Sequence, residues 1–271
     1  MGDARPLAGK RVVVTRAPEQ AQELVRLLEE SGAEVLLAPA VRFEAPVGWE
    51  PLDAALRELA SFDWLIFTSQ NAVRFVSVRQ EENGGRSALR GGGLKVAAVG
   101  EPTAAAAKAA GFSVDFVASR FQGKALAEEL GERLKGARVL LPRSDRGRPD
   151  LPAALRAAGA TVTEVIAYRT MDADLAKSAA LEEIRLGRVD VIAFASPSAF
   201  QALADAMESE ELSRIRESTA IAAIGPVTAD AIREAGLTVH VVAEESSATG
   251  LATSLARYFE QQRMRTGVAA R

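Results

Sequence analysis

Short apolar runs alternate along the chain with segments of helical period. Arg11 to Thr15, "RVVVT", is a β-branched run of strand length. From Pro18 to Ser31 the apolar residues Ala21, Leu24, Val25 and Leu28 then recur at i, i+3, i+4 and i+7, which predicts an amphipathic helix closed by Gly32. Glu34–Leu37, Trp64–Phe67, Lys95–Val99 and Val114–Val117 continue the strand series. Val139–Leu141, Val162–Ile166, Val189–Phe194, Ala220–Ile224 and Val239–Val242 repeat it. Continuous apolar strands separated by helices predict parallel sheets covered on both faces, with about five strands each. The fold class expected is doubly wound α/β.

The pattern also repeats. "VGEPTAAAAKAAGF" from Val99 and "IGPVTADAIREAGL" from Ile224 share Gly100/Gly225, Thr103/Thr228 and Gly111/Gly236. "GKRVVVTRA" aligns with "GARVLLPRS", pairing Gly9/Gly136, Arg11/Arg138 and Arg16/Arg143. In the same register "FDWLIFTSQNA" meets "VDVIAFASPSA", pairing Asp63/Asp190, Phe67/Phe194 and Ser69/Ser196, and Gly32 meets Gly159. A register held across separate segments indicates duplication of a unit of about 125 residues.

Composition narrows the chemistry. The chain has 271 residues, 48% hydrophobic and 25% charged, which suits a globular protein of two domains. A net charge of −3 argues against nucleic acid as a partner. With no cysteine and a single histidine, His240, there is neither a thiolate nor a histidine cluster for a metal, so no metal and no cofactor are expected. His240, inside "LTVHVV", reads as structural. No stretch approaches the roughly 18 apolar residues of a membrane span, and the N-terminus lacks the apolar core of a signal peptide. A cytoplasmic protein without membrane partners is expected. No dinucleotide glycine fingerprint follows a strand, and no P-loop or nucleophile-elbow motif occurs.

The chemistry that remains gathers at strand ends. In each repeated phrase a strand ends at Gly100 or Gly225 and a proline falls in the first helical turn. That places Thr103 and Thr228 beside free helix N–H groups, where anions are favoured. Other strand ends carry Thr15 and Arg16, Ser69 and Asn71, Arg143 and Ser144, and Ser196 and Ser198. Serine there is also an ordinary N-cap. The ensemble of hydroxyls, arginines and helix N-termini suits a ligand with several carboxylates or phosphates.

The ordered set "RVVVTRAPEQAQELVRLLEESGAEVLLAPA", "FDWLIFTSQNAV", "VAAVGEPTAAAAKAAGF", "VIAYRT", "IAFASPSAF" and "AIGPVTADAIREAGL" resembles the uroporphyrinogen-III synthase family from about Lys10 to Phe259. The resemblance implies two flavodoxin-like domains, residues 1–38 with 171–271 and residues 42–168. They would be joined by a two-stranded linker near 39–46 and 164–171 that lets them open and close. It implies a cofactor-independent hydro-lyase that converts hydroxymethylbilane, a linear tetrapyrrole with eight carboxylates, to uroporphyrinogen III in porphyrin biosynthesis. By resemblance Thr103, Thr228, Ser69 and Ser196, with Gly100 and Gly225 shaping their turns, hold substrate carboxylates. Arg16 and Arg143 are cationic neighbours, and Tyr168 helps the hydroxyl depart as a general acid. A monomer is expected. The alternative is a non-catalytic two-domain sensor of an anionic small molecule. "RQEENGGRSALRGGG", from Arg79 to Gly93, is expected to be a surface loop, and the polar tail after Phe259 to be disordered.

Overall fold

The computed structural model describes residues 5–84, 93–119 and 123–269. In chain order the main elements begin with β1 (Arg11–Val14), α1 (Pro18–Glu30), β2 (Glu34–Leu37), β3 (Val41–Glu44), α2 (Glu50–Arg57), β4 (Trp64–Phe67) and α3 (Gln70–Glu82). There follow β5 (Lys95–Ala98), α4 (Glu101–Ala109), β6 (Val114–Val117), α5 (Gly123–Leu130), β7 (Arg138–Ser144), α6 (Asp150–Ala157) and β8 (Thr161–Asp172). The chain continues through α7 (Ala179–Arg185), β9 (Val191–Phe194), α8 (Pro197–Asp205), α9 (Ser209–Ser218), β10 (Ala220–Ala223), α10 (Pro226–Glu234), β11 (Val241–Val242) and α11 (Ala248–Ala269). It divides into two compact units, Met1–Arg42 with Asp172–Arg271, and Phe43–Met171.

Unit one holds a five-stranded sheet in the order β11-β10-β9-β1-β2, with parallel pairings throughout. Counted within the unit this is the 2-1-3-4-5 order of flavodoxin-like sheets. Unit two holds six strands in the order β3-β8-β7-β4-β5-β6, parallel from β8 to β6. The repeat explains the difference. β1, β2, β4, β5 and β6 belong to the first copy, and β7 to β11 are their counterparts. Each sheet takes the first two strands of one copy and the last three of the other, so unit two is a circular permutation of unit one. The paired aspartates join the two sources in each sheet. Asp190 accepts from the Arg11 N–H at the start of β1 at 2.9 Å, and Asp63 accepts from the Arg138 N–H at the start of β7 at 2.7 Å.

Strand alternation sorts the core onto two faces of each sheet. In unit one Val12, Val14, Val191 and Ala193 pack against Leu24 and Leu28 of α1 and Leu251 and Leu255 of α11, whereas Val13, Ile192 and Phe194 face α7, α8 and α10. In unit two Leu65, Phe67 and Leu140 pack on α2 and α3, and Trp64, Ile66, Val139 and Leu141 on α5 and α6. Each large apolar side chain so buried contributes about 1.5–3 kcal/mol.

Near the expected linkers, β3 and β8 lie side by side in the sheet of unit two, and β8 also pairs with β7 from Thr161 to Tyr168. Two expectations change. Arg79–Glu82 are helical, since Arg79 grips Asp53 of α2 through Nε at 2.7 Å and Nη2 at 2.6 Å; residues 85–92 of the expected loop lie outside the described residues. The tail is helical to Ala269, and Arg263 on it donates to the carbonyls of Arg5 and Pro6 at 3.0 and 2.8 Å. Among the described residues no helix is long and apolar enough to cross a membrane, and no group of side chains could hold a metal ion.

Candidate active site

The repeated glycine-threonine phrases fold alike in both units. α4 and α10 start after Gly100 and Gly225, carry proline in the first turn, and make their first backbone bonds from the amides of Ala104 and Ala229. The Glu101 and Thr103 amides, and those of Val227 and Thr228, therefore have no partner within their helices. Each helix ends in a Schellman motif: Gly111 and Phe112 donate to Lys108 and Ala107, and Gly236 and Leu237 to Arg233 and Ile232. Thr103 and Thr228 are buried at 5% and 4% exposure, and neither hydroxyl has a hydrogen-bond partner among the described residues. The two glycines serve different ends. Gly100 adopts φ 82° and ψ 157°, a region open in practice only to glycine, whereas Gly225 is extended and a Cβ there would meet Ser246 Oγ.

Both predicted serines are N-caps. Ser69 Oγ accepts the Ala72 N–H at 3.1 Å and Ser196 Oγ accepts the Ala199 N–H at 3.1 Å. The copies then diverge. Ser196 meets the Ser198 hydroxyl at 3.0 Å, while Ser69 meets the phenol of Tyr168 at 3.0 Å. Tyr168 is buried, stacked on Phe75 at 5.5 Å and met edge-on by Phe43 at 5.7 Å. Burial pushes its phenol above the ordinary range and the Asp145 charge adds to this, with the Ser69 and Ser144 hydroxyls acting against them. The phenol is thus protonated at neutral pH.

Within each unit the serine and threonine turns follow the carboxyl ends of neighbouring strands, β4 and β5 for Ser69 and Thr103, and β9 and β10 for Ser196 and Thr228. In unit two Gln70 Nε2 donates to the Pro102 carbonyl at 3.3 Å, tying the turn of Ser69 to that of Thr103. In unit one the Thr15 hydroxyl donates to the Ala193 carbonyl at 3.1 Å and fastens the ends of β1 and β9, which carry Arg16 and Ser196. The strand order reverses between β1 and β9 in unit one and between β4 and β7 in unit two. Such switch points are where doubly wound sheets bind ligands.

The two arginines differ. Burial depresses the Arg16 guanidinium, with Glu23 acting against the shift, and no ion pair engages it among the described residues. A desolvated cation of this kind favours an anionic ligand. Arg143 is already committed: it pairs with Glu164 and donates to the Arg148 carbonyl at 2.7 Å. Sequence reasoning missed Asp145 and Thr170. Asp145 Oδ1 accepts the Thr170 N–H at 2.9 Å and the Arg146 N–H at 3.0 Å. Burial alone would raise this carboxyl, but those bonds and one from Ser144 hold it below the usual carboxylate range. The signal available in the sequence was an acidic residue directly following a strand end that carries Arg and Ser.

A family model described as uroporphyrinogen-III synthase HemD matches residues 22–253. The chain belongs to the uroporphyrinogen-III synthase family. A uroporphyrinogen-III synthase of Synechococcus elongatus is 31% identical over 261 residues, covering 95% of this chain and 98% of the relative. A putative uroporphyrinogen-III synthase of Methanothermobacter thermautotrophicus is 33% identical, over 84% of this chain and 90% of its own. In fold, the chain is similar to uroporphyrinogen III synthase of Thermus thermophilus, solved as a mutant, with a TM-score of 0.62 at 23% identity, covering 93% of this chain and all of that one. The Helicobacter pylori enzyme gives 0.55 at 20% identity, over 92% of this chain and 98% of its own. The uroporphyrinogen-III synthase family thus accounts for the α/β fold with two parallel sheets.

Proposed function

We propose that this chain is a uroporphyrinogen-III synthase that works without metal or cofactor. It takes hydroxymethylbilane, expels the terminal hydroxyl as water, and closes the macrocycle with inversion of ring D through a spirocyclic intermediate. Family membership over nearly the whole chain supports the reaction class. The observation that carries the assignment of roles is the Ser69–Tyr168 hydroxyl pair at 3.0 Å.

The substrate closes unaided to the type I isomer, so the enzyme has to impose a conformation and outrun that reaction. The amides and hydroxyls at Thr103 and Thr228, with Ser196 and Arg16, bind carboxylates by helix N-termini and charge. Ordering a flexible bilane this way converts binding energy into orientation. Hydroxide is a poor leaving group, and the Tyr168 phenol, fixed by Ser69, donates to the departing oxygen. The burial that keeps the phenol protonated also makes it a weaker acid. Its contribution therefore sits near the lower end of general-acid effects, about 100-fold.

The test is product identity. Freshly prepared hydroxymethylbilane given to the protein should yield the type III isomer on isomer-resolving chromatography. Type I alone would refute the synthase reading and favour the sensor of an anionic small molecule.

A further inference from the structure

Tyr168 reaches Ser69 because β8 is irregular. β7 and β8 pair residue for residue from Arg138↔Thr161 to Arg143↔Ile166, after which Ser144 pairs with Tyr168, so one extra residue is inserted at Ala167. Strict alternation would put Tyr168 on the side of Ile166, which is 49% exposed. With the insertion, Ala167 and Tyr168 are both buried in the cluster beneath α2 and α3. A bulge of this kind interrupts the ladder and re-aims a side chain, and it needs partners to stay in place.

Those partners come from one residue on the turn after β7. The Asp145 N–H donates to the Tyr168 carbonyl at 3.2 Å, so the irregular stretch is bonded on one side of the phenol-bearing residue. Asp145 Oδ1 accepts the Thr170 N–H at 2.9 Å, which fixes the other side. The same oxygen accepts from the Ser144 hydroxyl at 2.9 Å, leaving the Thr170 hydroxyl to donate to Ser144 at 2.8 Å. We infer that Asp145 is a positioning residue, clamping β8 across Ala167–Thr170 so that the Tyr168 phenol is held against Ser69.

The surroundings of the phenol are otherwise accounted for. From α3 it faces Ser69 and the Phe75 ring, over which the Arg74 guanidinium lies at 4.6 Å. From β3 it faces Phe43, beside the Glu44–Arg169 ion pair at 3.1 Å. Asp145 is the charged group whose field bears on the phenol and it opposes ionisation, in the same direction as burial. The catalytic meaning of the clamp rests on the reading of Tyr168 as proton donor, but the geometry can be tested without substrate.

The chain has two tyrosines, so full-length protein carrying Tyr258→Phe leaves Tyr168 as the sole phenol for ultraviolet difference titration. In that background the titration midpoint should lie above that of an exposed tyrosine, and Asp145→Ala should bring it down towards the ordinary value. On hydroxymethylbilane, Asp145→Ala should lose turnover by roughly 100-fold with little change in KM, as for a misplaced catalytic group. Asp145→Asn keeps an oxygen for the Thr170 and Arg146 amides, so it should restore most of the turnover while still lowering the midpoint through loss of charge. A folded Asp145→Ala with unchanged midpoint and turnover would overturn the inference. If the alanine variant does not fold, Asp145→Asn turnover as low as that of Tyr168→Phe would overturn it instead, because the asparagine keeps the oxygen that the clamp needs. A midpoint lower in Asp145→Ala than in Asp145→Asn, in a protein with no synthase activity, would support the clamp and remove the proposed function.

Discussion

Replacing Ser69 with alanine removes two hydrogen bonds at once, and Ser196 provides a control within the same chain. Each serine caps a helix by accepting one N–H at 3.1 Å, a contribution of about 1 kcal/mol. Ser69→Ala in addition strips the buried Tyr168 phenol of its partner, which costs about 1–3 kcal/mol more. Ser196→Ala also loses the bond to Ser198, but that hydroxyl is exposed and water replaces the partner, so the expected loss is about 2–4 kcal/mol in unit two against about 1 kcal/mol in unit one. Trp49 and Trp64 are the two tryptophans of the chain and both lie in unit two, so their fluorescence during urea unfolding reads that unit; hydrogen exchange in α8 reads the other. The pair should also couple. Tyr168→Phe should destabilise the wild-type chain by about 1 kcal/mol, yet be neutral or stabilising beside Ser69→Ala, where the phenol is an unpaired buried group. Equal losses for the two serine variants, or the same cost for Tyr168→Phe in both backgrounds, would refute the reasoning.

Gly100→Ala should destabilise by about 1–3 kcal/mol because of its positive φ, whereas Gly225→Ala should cost less, since only the Ser246 side chain has to turn away; thermal melts of both variants decide this. Thr103→Ala or Thr228→Ala should lower synthase activity only in part, because the helix amides remain, while aspartate at either position should do more harm by repelling substrate carboxylates. Equal losses for alanine and aspartate would count against that electrostatic account. The Tyr168 phenol titrates above its ordinary value of 10.0, mainly through burial, so the folded state holds this proton more tightly than the unfolded chain. The stability it contributes is complete below that value and is lost as pH rises through the folded one. Urea unfolding above pH 10.0 should therefore show a falling stability of unit two, and Tyr168→Phe should remove that component.

Local order was legible in the sequence wherever it depended on period or on a turn residue. The i, i+3, i+4, i+7 pattern of Ala21, Leu24, Val25 and Leu28 marks a helix because one face is buried, and α1 runs Pro18–Glu30. The glycines that close α4 and α10 were visible because a Schellman turn demands them. Pairing was less visible. The exchange of strands between the two copies leaves no local trace, since either copy could in principle fold on itself. The bulge at Ala167 arises from contacts with the turn after β7, and the Ser69–Tyr168 bond joins residues 99 positions apart. Composition misled at the tail, where "EQQRMR" is polar yet made of helix formers and is anchored by Arg263. Arg143 matched Arg16 in the repeat, but Glu164 occupies it, and an ion pair across neighbouring strands cannot be read from one strand's sequence.

The central claim is that a phenol fixed by Ser69 helps the hydroxyl leave, and the competition with spontaneous closure measures it directly. Wild-type protein and Tyr168→Phe should be given hydroxymethylbilane at equal concentration and quenched in a time course, with types I and III resolved and substrate binding checked by hydrogen-exchange protection near Thr103. The account predicts that Tyr168→Phe retains binding but forms type III about 100-fold more slowly, so that type I dominates its product. Undiminished type III formation by that variant would contradict it.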